Sequence, residues 1–95
     1  NAAKVRNYRA RKAQAEGYHT AEEIAQLYLA QDGLCYYCAT NLEYGMHVDH
    51  KTPLIRGGSN DINNLCCACP SCNIRKHDKT EVEFMNDLIL TGTVA

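Results

Sequence analysis

Ninety-five residues with a formal net charge of -1 and 45% hydrophobic content make one small domain, too short to bury a self-sufficient core without an added constraint. No run is long and apolar enough to cross a membrane, and residues 1-16, with Lys4, Arg6, Arg9, Arg11 and Lys12 and no apolar segment, lack the form of an export signal. The six cysteines are therefore read as reduced, in a soluble cytoplasmic setting, and not as the disulfide framework of a secreted chain.

The near-neutral total hides an uneven distribution. Residues 1-16 carry five basic groups against Glu16, a local +4, and residues 70-79 carry Arg75, Lys76 and Lys79 against Asp78, a local +2. A dication on four thiolates would add a further -2, taking the chain from -1 to about -3, so nucleic-acid affinity has to come from local patches.

Residues 2-15 are rich in Ala, Arg, Lys and Gln and free of Gly and Pro, which predicts an N-terminal helix. Lys4, Tyr8, Arg11 and Lys12 fall on one face of it, a basic stripe suited to phosphates and equally to solvent. Gly17 breaks this helix. Thr20 followed by Glu23 has the form of a capping box and opens a second helix over about 20-31, with Ile24, Leu27 and Tyr28 as its apolar face. Asp32-Gly33 supplies the stop.

Cys35-Tyr-Tyr-Cys38 is a knuckle that suits either a metal or a redox pair. A second knuckle, Cys69-x-x-Cys72, decides for the metal, because a closed tetrahedral zinc site needs two such pairs. Cys66-x-x-Cys69 has the same spacing, but Cys66 and Cys67 fit better as small buried residues of a strand. Tyr36 and Tyr37 read as cover for the first knuckle.

Residues 46-51 alternate as a short strand ended by Pro53, residues 56-64 (RGGSNDINN) form a loop, and Leu65-Ala68 returns as the second strand of a hairpin. Pro70 suits the first turn of a helix over about 70-77, and Thr80 with Glu83 caps a last amphipathic helix running to about Leu90.

Hairpin and third helix together bring a chemical set into view. Asp49 is a hard oxygen ligand for Mg2+ or Mn2+, and Asn73 can supply a second oxygen to the same ion. His50 is then available to take a proton from water, provided one ring nitrogen is held by a carbonyl or an amide. His47 reads as a flanking residue.

The order C-x2-C, V-D-H, P-L-x-x-G-G, N-L and C-x2-C-N-x-x-K over about residues 35-77 resembles the HNH endonucleases of the ββα-metal (His-Me finger) fold, most closely the small phage-type and restriction-type members. The resemblance implies an α+β fold: a small ββα-metal core, residues 35-79, with a four-cysteine structural zinc and flanking helices. Residues 18-95 would form the nuclease domain and 1-17 a basic arm. It further implies that His50 is the general base, that Asp49 and Asn73 hold a catalytic Mg2+ or Mn2+, with Ni2+ as an alternative, and that Asn64 fixes the loop orienting His50. Cys35, Cys38, Cys69 and Cys72 would hold Zn2+. Asn73 stands where the family name has its last His.

The implied activity is hydrolysis of DNA phosphodiester bonds, by nicking with low sequence specificity, in a bacterial or phage-infected cell. A homodimer, or a packaging or restriction partner, is compatible with it. Lys4, Arg11, Lys12, Arg56, Arg75, Lys76 and His77 are the expected DNA contacts. Two rivals predict otherwise: a non-catalytic zinc module that binds nucleic acid would show no cleavage, and a thiol redox protein would bind no metal.

Overall fold

A computed structural model describes residues 2-12 and 16-92, with backbone alone for 8-12. Among the described residues, four α-helices, α1 (Ala2–Lys12), α2 (Ala21–Ala30), α3 (Pro70–Lys76) and α4 (Glu81–Thr91), surround one hairpin of β1 (His47–His50) and β2 (Leu65–Ala68). The hairpin is antiparallel, with His47 opposite Ala68 and His50 opposite Leu65. Residues 13-15 of the first predicted helix lie outside the described residues.

Local chemistry accounts for the helix boundaries. Thr20 and Thr80 each accept from the backbone N–H three residues on, and Glu23 and Glu83 return the bond, so both capping boxes form. Asp32 and Gly33, at φ of 57° and 67°, turn the chain out of α2. Pro70 occupies the first turn of α3, where its missing N–H removes nothing from the helix ladder.

β2 is the centre of the core. Leu65, Cys66, Cys67 and Ala68 are all buried, packed with Ile24, Tyr37, Leu42, Phe84 and Leu88. The strand has one hairpin partner, and its other edge is satisfied by the Gln31 side chain together with the Tyr36 N–H, which donates to the Cys67 carbonyl at 3.0 Å. Gln31 accepts from the Cys67 N–H at 2.9 Å and donates to the Cys67 carbonyl at 2.9 Å, acting as a one-residue strand. Tyr37 packs edge-on against Phe84, ring centres 5.0 Å apart.

The loop between the strands is a set of tight turns, with short 3-10 segments at Leu54–Arg56 and Ile62–Asn64. A Cβ on Gly58 would lie 1.8 Å from the Thr52 carbonyl oxygen, so only glycine fits there. Asn64 staples the same region: its Oδ1 accepts from the Thr52 N–H at 3.0 Å, and its Nδ2 donates to the carbonyls of Thr52 at 3.0 Å and Ser59 at 2.7 Å.

α1 is not the detached basic rod its composition suggests. Ala3 is buried, and Arg6 and Asn7, three and four residues on, hydrogen-bond to His19. Lys4 is exposed on another face, while the side chains of Tyr8, Arg11 and Lys12 lie outside the described residues.

Candidate active site

The two cysteine knuckles meet. The sulfurs of Cys35, Cys38, Cys69 and Cys72 all lie within 4.8 Å of one another, and Cys38 and Cys69 are 3.8 Å apart. Metal–sulfur bonds of about 2.3 Å in a tetrahedron set sulfur–sulfur edges of about 3.8 Å, so the cluster has the size of a closed four-thiolate ion site. Backbone N–H groups support the sulfurs: Tyr37 and Cys69 donate to Cys35 Sγ at 3.4 and 3.3 Å, and Cys72 donates to Cys69 Sγ at 3.4 Å. Cys66 faces elsewhere. Its thiol donates to Asp49 Oδ2 at 3.7 Å, and burial together with that carboxylate pushes its pKa up, keeping it protonated.

Across the hairpin, Val48, Asp49 and His50 of β1, Pro53, Leu54 and Ile55 beyond it, Asn73 of α3, and His77 and Asp78 line one open cleft of about 420 Å³. Adjacent strand residues point to opposite faces, and accordingly Asp49 is buried while His50 is half-buried. The cleft sits at the end of the strand, where both still reach its wall.

Asp49 is held from three sides. The Tyr37 hydroxyl donates to Oδ2 at 2.6 Å, the Cys66 thiol reaches the same oxygen, and Lys76 Nζ lies 3.3 Å from Oδ1. A carboxylate offers about four lone-pair directions, so one on Oδ1 remains for an ion. Asn73 is oriented as such an ion requires: its Nδ2 bonds His47 Nδ1 at 2.8 Å, leaving Oδ1 as the uncommitted acceptor. Asp49 and Asn73 thus each offer to the cleft one oxygen of the type a hard divalent ion takes. His77, exposed and at φ 53°, closes α3 with its ring 3.2 Å from the Asp78 carboxylate.

Lys76 requires a correction. Its place near the end of a charged helix suggests a phosphate contact, yet the side chain is fully buried and bonds the Asp49 carboxylate and, at 3.0 Å, the His50 carbonyl. The lysine ties α3 to the end of β1 and neutralises the buried acid. Its charge is thus unavailable to DNA, and Lys79 is paired with Asp87 at 2.5 Å, so the local +2 of residues 70-79 is not a free patch. Arg75 is exposed with its cation 6.0 Å from the centre of the Phe84 ring, and Arg56 is paired with Glu83.

Three residues acquire places that sequence reasoning did not give them. Tyr37 holds Asp49 besides covering the knuckle, His47 orients Asn73, and Asn60 touches His50, its Oδ1 lying 2.8 Å from His50 Nε2. Tyr37 carries a faint signal, since a tyrosine between two knuckle cysteines is anchored on both sides. Asn60 carries none within a loop of Gly, Ser, Asn and Asp.

A two-strand hairpin and helix, locked by four clustered cysteines and presenting Asp49, His50 and Asn73 to one cleft, is a ββα core with a metal-type site. Residues 35–79 match the family model described as HNH endonuclease, and over that stretch the chain is similar to this family. It is also similar to YoqL of Bacillus subtilis (strain 168), an SPbeta prophage-derived protein described as a candidate HNH endonuclease, at 32% identity over 104 aligned positions. That alignment takes in 90% of this chain and 42% of the relative, so the chain spans less than half the relative's length.

Proposed function

We propose that this chain is a metal-dependent DNA endonuclease that hydrolyses phosphodiester bonds in the cleft between β1 and α3. The observation that carries the reading is the meeting of Asp49, His50 and Asn73 on one open cleft. The imidazole of His50 takes a proton from water as the water oxygen bonds to phosphorus in line with the 3′-oxygen. The bond to that 3′-oxygen breaks, and the product carries a 5′-phosphate. A divalent ion, Mg2+ or Mn2+ with Ni2+ as an alternative, would be held by Asp49 and Asn73 and would supply charge stabilisation to the phosphate and the leaving oxygen. Zn2+ is the ion for the four-cysteine cluster, where its role is structural.

Residues 18-95 form the nuclease domain of this account and residues 1-17 its basic arm. Arg75, Lys4, Arg11 and Lys12 contact backbone phosphates, with Arg56 released from Glu83 and His77 at the cleft rim. Contacts of this kind carry little base information, so sequence specificity is low. One cleft cuts one strand, and a double-strand break requires a second copy or a packaging or restriction partner. The setting is the cytoplasm of a bacterial or phage-infected cell, a reading supported by the prophage origin of the similar B. subtilis protein.

The test is nicking of supercoiled plasmid by the zinc-loaded chain with Mg2+, Mn2+ or Ni2+. Nicking with at least one of these ions, lost in Asn73→Ala, is expected; no cleavage with any of them overturns the proposal. A second reading, a zinc module that only binds nucleic acid, draws on the internal bonds that hold Asp49 and His50 within the fold. It predicts DNA binding without nicking.

A further inference from the structure

We propose that Asn60 is a positioning residue that fixes which ring nitrogen of His50 carries the proton, and that helix α1 sets the orientation of the Asn60 amide through Asn7. The proposal rests on the reading of His50 as general base and extends it to one atom, Nδ1.

The two ends of an asparagine amide are told apart by their partners, and here the backbone supplies unambiguous ones. Asn7 faces the main chain of His19: the His19 carbonyl can only accept, so Asn7 Nδ2 lies against it at 2.8 Å. The His19 N–H can only donate, so it points to Asn7 Oδ1, at 3.2 Å. Asn7 Oδ1 also receives the Asn60 side chain at 2.5 Å, and an oxygen there demands a donor, which makes that end of Asn60 its Nδ2. The other end, Oδ1, faces His50 Nε2 at 2.8 Å. An amide oxygen only accepts, so Nε2 carries the hydrogen and Nδ1 keeps its lone pair for the proton of water.

The Asn60 backbone is clamped with equal consistency. Its N–H donates to the Glu16 carbonyl at 2.8 Å. Its carbonyl lies 3.0 Å from His19 Nδ1, while Arg6 Nε, which can only donate, lies 2.8 Å from His19 Nε2. His19 must therefore hold its proton on Nδ1 and give it to Asn60. Asn60 is fully buried and His19 nearly so, and among the described residues every buried side-chain nitrogen and oxygen has a partner. Turning the Asn60 amide over would set two oxygens against each other at Asn7. The polarity of the chain from α1 to the cleft is thereby single-valued.

The experiment is long-range 1H–15N spectroscopy on the histidine-labelled, zinc-loaded full chain at slightly alkaline pH without added Mg2+, paired with single-turnover nicking. In the wild type, His50 Nε2 is expected to resonate as a protonated nitrogen and Nδ1 as an unprotonated one. Asn60→Ala and Asn7→Ala are expected to yield mixed tautomers and a nicking rate lower by about tenfold, a part of the roughly 10²–10⁴ that a general base contributes. Because Asn60→Ala removes a buried group and can fail to fold, Asn7→Ala in the half-buried face of α1 is the deciding variant. A wild-type His50 protonated on Nδ1, or an unchanged tautomer in folded Asn7→Ala, overturns the proposal. Full activity in His50→Ala with the expected wild-type spectrum would instead sink the base and leave the relay standing.

Discussion

The Tyr37 hydroxyl donates to Asp49 Oδ2 at 2.6 Å, and Tyr37 lies between Cys35 and Cys38. The loop that contributes two sulfurs to the cysteine cluster thus also holds the acid at the cleft. Tyr37→Phe keeps the ring packed on Phe84 and removes one hydrogen bond to a buried carboxylate. A loss of about 1–3 kcal/mol is expected, read as a lower denaturant midpoint with unchanged slope.

Lys76 and Asp49 make a buried ion pair, and removing one partner of such a pair costs about 3–5 kcal/mol. Lys76→Met should therefore be strongly destabilised, and Asp49→Asn introduced beside it should recover part of the loss, as a double-mutant cycle would report. A surface phosphate contact would behave differently: stability would hold, and the salt dependence of DNA binding would weaken by about one ion.

Removing the cluster ion should unfold the hairpin–helix unit. Without an ion the four sulfurs have only weak mutual contacts, and a chain this small has little core to spare. Chelation under reducing conditions is expected to abolish the cooperative thermal transition, and Cys38→Ser to lower it. Elemental analysis of the freshly purified chain should return one zinc per molecule.

Burial holds the His19 pKa below its ordinary value; the Asn60 carbonyl and Glu23 oppose this, and the charges of Arg6 and His50 add to it. A histidine whose folded pKa is depressed takes up protons more readily when unfolded, so its contribution is present above about pH 6.5 and is lost as pH falls towards the folded value. His19→Asn can keep a donor near Asn60 while removing the titration. The stability advantage of the wild type over this variant should shrink between pH 7 and pH 5, measured by urea denaturation in zinc-containing buffer.

Much of this architecture is legible in the sequence because its signals are local. Thr20 with Glu23, Thr80 with Glu83, and Pro70 after Cys69 mark helix starts by chemistry confined to one turn. The two CxxC spacings anticipate the four-sulfur cluster in the same way. What escapes is polar burial over distance. Lys76 looks solvated because nothing adjacent neutralises it, and its partner Asp49 is 27 positions away. The inward face of α1 escapes for a related reason: apolar periodicity does not register Arg6 and Asn7, which pack by bonding His19.

Whether His50 is the base at this cleft is decided by the single-turnover nicking rate of His50→Ala in the zinc-loaded, folded chain at saturating Mg2+ or Mn2+. The rate is predicted to fall by about 10²–10⁴ with plasmid binding retained. A His50→Ala rate equal to that of the wild type would mean that another group takes the proton from water.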